Sequence, residues 1–254
     1  MRYPRIFVGT LASGEAEFEK CCQAIECQQD VEVKHHIISD EPEFEAHNKL
    51  WESWAKVKSD YDLFVKVDAD TVLCRPTALA DIFFLFSDPA VTGAQILLHD
   101  YFTDRLIAGL NAFSPVVQFR KSSRRLFADR ADSNHDVVLK GEAVKHLAPI
   151  GWHCIHPHPR QAFHFGLHRA LKKQREVVER CASVWLEKRD EPRSWALTGA
   201  MVAGWRLRTS FDYGNARFEA SFGHYLDNRK RLEETEAFAL SMLNNKSFLG
   251  FRRN

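Results

Sequence analysis

Two aspartates one residue apart, in Asp68-Ala69-Asp70, close the apolar run Leu63-Phe64-Val65-Lys66-Val67 and so stand where a strand ends. Carboxylates this close repel each other and are stabilised by a divalent cation; hard oxygen ligands suit Mg²⁺ or Mn²⁺ bridging a diphosphate. The triplet alone is common, and a second one, Asp60-Tyr61-Asp62, precedes the same run as an ordinary strand-start turn. Position separates the two. In open α/β sheets the ligand crevice lies at the carboxyl ends of the strands, which is where Asp68-Ala69-Asp70 falls. Lys66, two residues before Asp68, alternates to the same face and can approach phosphates or lie along the sheet end.

Five histidines, His153, His156, His158, His164 and His168, fall within 16 residues. They invite a zinc interpretation, but His156-Pro157-His158-Pro159 is stiff and extended, and His164 with His168 forms an i, i+4 pair lacking the glutamate of a metalloprotease helix. The spacing therefore does not predict a closed zinc site. Arg160 and Arg169 beside them could neutralise a phosphate. A carboxylate at Asp136 suffices to take a proton from a hydroxyl within hydrogen-bond reach, with Glu142 as the fallback; the competing role for Asp136 is to N-cap a helix starting at Val137.

The elements that must position these groups follow from periodicity. Ile6–Leu11 reads as a buried strand, and Phe18, Cys21, Cys22 and Ile25 recur at helical spacing after Gly14. A second strand over Val31–Ser39 leads to Asp40 and Glu43, a capping-box-like start to a helix carrying Phe44, His47, Trp51, Trp54 and Ala55 on one side. Asp62–Val67 is the third strand, and Arg75-Pro76 opens a helix through Phe86. Further strands are expected over Val91–Leu98 and Ile107–Val117, a helix over Asp136–Leu147, and one long helix from Phe163 to Trp185. Strands alternating with amphipathic helices predict an α/β fold with a mixed, mostly parallel sheet covered on both faces.

At 254 residues and 45% hydrophobic content the chain can bury a large core. A net charge of +1, from 35 basic and 34 acidic residues, argues against a nucleic-acid partner. The six cysteines lack the paired spacing of a zinc ribbon and the density of a disulfide scaffold, and are expected as reduced thiols, mostly in the core. The opening Met1-Arg2-Tyr3-Pro4-Arg5 runs straight into a strand without an apolar signal core, which predicts a cytoplasmic protein, and no apolar stretch reaches the ~20 residues that span a bilayer.

The run from Tyr61 through Asp68-Ala69-Asp70 to Leu73 resembles the GT-A glycosyltransferases, bacterial family 2-like enzymes in particular. So do the opening Ile6-Phe7-Val8-Gly9-Thr10-Leu11 and the stretch from Gln28-Gln29 to Ile37-Ile38-Ser39-Asp40. The resemblance covers about residues 1–165 and implies a GT-A nucleotide-sugar-binding catalytic domain there; the helical-leaning remainder, 166–254, is expected as a C-terminal extension packed on the same domain. It implies that Thr10, Leu11, Asp40, Lys66, Asp68, Ala69 and Asp70 line the donor, with Asp40 meeting the base, Asp70 binding metal directly and Asp68 contacting ribose or metal. His164-Phe165-Gly166 is similar to the element that brings a third metal ligand, which assigns His164 to the metal. Asn134-His135-Asp136 resembles the family's Glu-Asp pair, with His135 in place of the glutamate, and assigns Asp136 as the base.

The expected activity is metal-dependent transfer, inverting by default, from a nucleoside diphosphate sugar (UDP-sugar favoured, with Mn²⁺ or Mg²⁺) to a glycan or glycolipid hydroxyl. A glycolipid acceptor extends the expected location to peripheral contact with the inner face of the membrane; oligomeric state is left open. One alternative is a sugar-phosphate nucleotidyltransferase, which should carry a basic loop after the first strand, whereas Gly9–Gly14 holds no Lys or Arg. The other is a non-catalytic carbohydrate- or metal-binding protein.

Overall fold

A computed structural model describes residues 2–121, 138–204 and 215–244. It divides into two compact units, Met1–Tyr101 with Arg105–His156, and Phe102–Asp104 with Pro157–Asn254.

The first unit is built on eight strands, β1 (Arg5–Ala12), β2 (Glu32–Ser39), β3 (Leu63–Lys66), β4 (Thr71–Leu73), β5 (Gly93–Asp100), β6 (Arg105–Phe113), β7 (Val138–Leu139) and β8 (Gly151–His153). They form one sheet in the order β2-β1-β3-β6-β5-β8-β4, with β7 also on β5. β1 is parallel to β2 and β3, and β5 to β7 and β8; β6 runs antiparallel between β3 and β5, and β4 antiparallel to β8. Strands β2, β1, β3, β5 and β8 therefore share one direction, and their carboxyl ends share one edge.

Alternation along β1 and β3 explains how helices cover both faces. Ile6, Val8, Leu63 and Val65 face a core shared with Cys21 and Ile25 of α1 (Phe18–Glu26) and Leu79 and Ile82 of α3 (Ala78–Phe84). The intervening Phe7 and Phe64 face Leu50, Trp51 and Trp54 of α2 (Glu43–Val57), in an aromatic cluster where Phe64 stacks on Trp54 at 5.2 Å.

Three local expectations change. Helix α2 starts at Glu43 with Pro42 as its extended N-cap and no side-chain cap, while Asp40 lies earlier in the left-handed region (φ 59) and is no cap. A proline holds the residue before it extended, so the helix cannot begin ahead of Pro42. The described part of 136–147 is β7 followed by a 3₁₀ turn, Gly141–Leu147; Gly141 takes φ 59, which interrupts any α-helix there. The single helix expected from Phe163 to Trp185 is two, α4 (Pro159–Leu171) and α5 (Arg175–Lys188). Lys173 turns left-handed between them (φ 58) and Gln174 N–H donates to Arg169 C=O at 2.9 Å, a helix-terminating motif that leaves the 3.6-residue period of the apolar positions almost undisturbed.

The second unit adds α6 (Glu191–Gly204), α7 (Ala216–Leu226) and α8 (Arg231–Asn244) to α4 and α5. Helix α6 is buried along most of its length, from Arg193 to Val202, and crosses α4 closely. A Cβ on Gly166 would lie 1.6 Å from the Ala196 carbonyl oxygen, and one on Gly199 2.0 Å from that of Phe163, so both positions exclude any side chain. Among the described residues no helix is long and apolar enough to cross a membrane.

Candidate metal centre

The carboxyl edge of the parallel strands gathers most of the residues singled out in the sequence. Gly9 pairs with Lys66 and Leu11 with Ile38, so Thr10 and Leu11 of β1, Asp40 just past β2, and Asp68-Ala69-Asp70 just past β3 lie at that edge. β5 and β8 bring Asp100 and His153 to the same edge, where the two are register partners.

Asp68-Ala69-Asp70 forms the turn from β3 to β4. Thr71 N–H donates to Asp68 C=O at 2.9 Å, and Val67 N–H to Gly9 C=O at 3.0 Å, which ties the turn to β1. Ala69 is buried. The Lys66 ammonium, buried at the strand end, meets Asp68 Oδ1 at 2.7 Å; Asp68 is about half exposed, while Asp70 points into the protein. Lys66 thus acts on Asp68, and the second aspartate is the one turned toward further ligands.

Asp70 meets His153 and Cys154. β4 and β8 pair Thr71 with His153, and Cys154 N–H donates to Asp70 C=O at 2.9 Å, so the two backbone segments are fastened together at this point. His153 Nε2 is 3.4 Å from Asp70 Oδ2, and its Nδ1 is 2.7 Å from Oδ1 of the fully buried Asp100. Burial alone would favour the neutral ring. The electrostatic influence of Cys154 and Asp70, with hydrogen bonds to Asp100 and Asp70, outweighs it and holds the imidazole pKa well above its ordinary value.

The Cys154 Sγ–H donates to Asp70 Oδ2 at 3.2 Å, and the sulfur lies 3.6 Å from His153 Nε2. Cys154, His153 and Asp100 have the order of a nucleophile, a base and its orienting acid, but the chemistry points elsewhere. Cys154 is 2% exposed, and burial, with Asp70 adding to it, pushes its thiol well above the usual range, the opposite of an activated nucleophile. One ligand atom each from Asp70, His153 and Cys154 lie within 4.8 Å of one another, a donor set suited to a metal ion, and it is the one such group among the described residues.

A further carboxylate flanks this edge. Glu15, in the loop from β1 to α1, accepts from Ser13 N–H at 2.6 Å, and burial, with repulsion from Asp70 and Asp68 adding to it, raises its pKa to about 7. Glu17 in the same loop is buried and accepts from His156 N–H at 2.6 Å.

The other sequence candidates are placed as follows. Thr10 is fully buried, with Oγ1 2.9 Å from His35 Nε2 on β2, and Leu11 packs against the aromatic core. Asp40 is exposed, its N–H donating to Ala12 C=O at 3.0 Å. His164 stands on α4 in the second unit, stacked with His168 at 5.5 Å and edge-on to Phe218. His158 caps α4 by accepting from Gln161 N–H, Arg160 pairs with Glu219 at 2.5 Å, and Arg169 Nη1 donates to Gln174 at 3.0 Å. Asp60 ends a 3₁₀ turn, and Asp62 accepts from Arg5 N–H at 2.7 Å, a contact between segments 57 positions apart. Asp136, with Asn134 and His135, lies outside the described residues.

Asp100, His153, Cys154 and Glu15 were not singled out in the sequence for this site. Asp100 carries the signal that found Asp68, an acid ending an apolar strand, here Ile96-Leu97-Leu98-His99-Asp100. His153 belonged to the histidine group, but a three-residue strand is too short for periodicity to reveal.

Neither family models nor curated proteins give a match to this chain. Among solved structures it is similar to the mannosyltransferase PcManGT from Pyrobaculum calidifontis in complex with GDP-Man and Mn²⁺, at 15% identity, over 95% of this chain and 86% of that chain, with a TM-score of 0.39.

Proposed function

We propose that this chain transfers a glycosyl group from a nucleoside diphosphate sugar to the hydroxyl of a glycan or glycolipid, with inversion, using a divalent metal held at Asp70. The observation that supports this reading is the shared edge: β1, β2 and β3 end side by side, so the backbone at Thr10, Leu11 and Asp40 and the Asp68–Asp70 turn follow one sheet edge, which also holds the donor set of Asp70 and His153. That is the crevice in which parallel α/β sheets bind nucleotides.

The residues present fit a cation. The ligand atoms of Asp70 and His153 converge 3.4 Å apart, while the Lys66 ammonium already neutralises Asp68 and leaves Asp70 as the carboxylate for the ion. When bound, Mn²⁺ or Mg²⁺ supplies positive charge against the diphosphate leaving group. Asp70 and His153 hold that charge in place, and Lys66 orients Asp68 toward the donor ribose or phosphates. Asp40 takes the nucleoside base, and Asp136 removes the acceptor proton. His164 keeps the sequence-based assignment as a rival third ligand. UDP as the donor nucleotide rests on family resemblance, and a glycolipid acceptor would bring the chain to the inner face of the membrane.

The nucleotidyltransferase alternative fits less well, because the β1–α1 loop offers Glu15 and no cation to a phosphate. A panel of UDP-, GDP-, CMP- and dTDP-sugars, assayed for metal-dependent release of free nucleotide, tests the reading. One donor is expected to respond, Asp70→Ala to abolish release, and Asp60→Ala to leave it nearly intact, since an exposed carboxylate contributes less than about 0.5 kcal/mol. His153→Ala is expected to weaken metal activation more than His164→Ala. Equal losses at Asp60 and Asp70 would remove the turn from the site, and metal binding without release from any donor would leave a non-catalytic binding protein.

A further inference from the structure

A sulfur stands in the donor set where oxygen and nitrogen would be enough. Asp70 Oδ2, His153 Nε2 and Cys154 Sγ are separated by 3.4, 3.2 and 3.6 Å, a nearly equilateral triangle. Around a tetrahedral ion with bonds of about 2.0 Å to oxygen and nitrogen and about 2.3 Å to sulfur, neighbouring ligand atoms stand about 3.3–3.5 Å apart. The triangle therefore closes on such an ion with almost no side-chain movement.

The supporting groups are also in place. Asp100 holds His153 through Nδ1 at 2.7 Å and leaves Nε2 toward the other two ligands, the carboxylate–histidine arrangement that fixes the tautomer of a ligating imidazole. Cys154 takes the left-handed backbone conformation (φ 55), which a non-glycine residue adopts at a cost, and its N–H is fixed to the Asp70 carbonyl. That pair of constraints turns Sγ back toward Asp70.

We infer that Cys154 is a direct metal ligand, and that Asp70, His153 and Cys154 together form a three-ligand site selecting Zn²⁺ and Co²⁺ over Mg²⁺. The inference rests on the reading that Asp70 carries the metal, and extends it to the kind of metal. Thiolate and imidazole favour later first-row ions, whereas Mg²⁺ demands oxygen. Binding forms the metal–sulfur and metal–nitrogen bonds and releases the thiol proton of Cys154 and the proton on His153 Nε2 to solvent.

The test is spectroscopic and needs no turnover. Metal-free protein is titrated with Co²⁺, and the Zn²⁺ and Mg²⁺ affinities are measured in parallel. Sulfur-to-cobalt charge-transfer absorption in the near ultraviolet is expected in wild type and in Cys27→Ser, an exposed cysteine, and is expected to vanish in Cys154→Ser. Zn²⁺ affinity of Cys154→Ser should fall at least tenfold while Mg²⁺ affinity changes less than twofold. If Cys154→Ser does not fold, the wild-type spectrum alone decides. Co²⁺ bound without charge transfer overturns the sulfur ligand but leaves a metal at Asp70. No divalent cation bound at all overturns both. Charge transfer together with no response to any nucleotide sugar upholds the sulfur ligand and overturns the transferase reading.

Discussion

At the scale of single residues, Glu15 offers a test of the site's electrostatics that does not depend on catalysis. Its carboxyl pKa is raised from 4.5 to about 7 by burial first and by Asp70 and Asp68 after it. A group raised on folding contributes stability that is present below its unfolded pKa and is lost as pH climbs through its folded value. Wild type should therefore lose stability relative to Glu15→Gln between about pH 4.5 and 7. A tenfold change in an acid's dissociation constant corresponds to about 1.4 kcal/mol, so after allowing for partial exposure the difference is on the order of 2 kcal/mol. Denaturant unfolding of both proteins across that range, with a chelator present, measures it; parallel stability curves would show that Glu15 ionises as an ordinary surface acid.

The proposed base is tested at the same scale. Asp136→Asn should preserve nucleotide-sugar binding, because asparagine keeps the side-chain shape and removes only the basic carboxylate charge. Turnover should drop by about 10² to 10⁴, the usual contribution of a positioned base. Steady-state kinetics beside donor titration separate the two quantities. A kcat near wild type, with Glu142→Gln inactive, would move the role to Glu142; indifference to both substitutions would favour a retaining reaction without an enzymic base.

At the scale of elements, the crossing of α4 and α6 is the most restrictive packing in the second unit. Gly199→Ala would drive a methyl group to 2.0 Å from the Phe163 carbonyl oxygen, and backbone atoms on both sides leave nothing flexible to yield. Destabilisation of about 3 kcal/mol or more is expected. Gly223, on α7, has nothing within 4 Å of its would-be Cβ, so Gly223→Ala should stabilise by about 0.5–1 kcal/mol through helix propensity alone. Unfolding midpoints of the two variants carry opposite signs if the crossing is as close as described, and equal small shifts would mean that the helices can separate freely.

At the scale of the whole molecule, metal binding should appear as stability. A ligand bound by the folded state alone adds about 2.7 kcal/mol at a concentration one hundred times its Kd. Thermal unfolding with saturating Mn²⁺ or Zn²⁺, compared with chelator, should therefore show a higher midpoint in wild type and almost none of that gain in Asp70→Ala. An equal gain in both proteins would place the bound ion elsewhere.

Much of the fold was legible because its signals are local. The runs of β1, β2 and β3, the amphipathic spacing of α1 and α2, and an acid pair ending an apolar strand all depend on neighbours within a dozen residues. The same signals ran past the break at Lys173, since one left-handed residue barely disturbs an apolar period, and past the start of α2, where the rigidity of Pro42 overrode a capping pattern. Residue order alone carries the alternation of strands and helices and the position of Asp68-Ala69-Asp70 at a strand end. Which side chains gather at Asp70, with Asp100 behind His153, follows from the folded sheet alone. Asp100, His153 and Cys154 come from β5 and from the end of β8, 30 to 84 positions away, and converge because those strands run parallel to β3 and finish at the same edge. Strand order and direction are set by long-range pairing, which leaves no periodic trace in the chain.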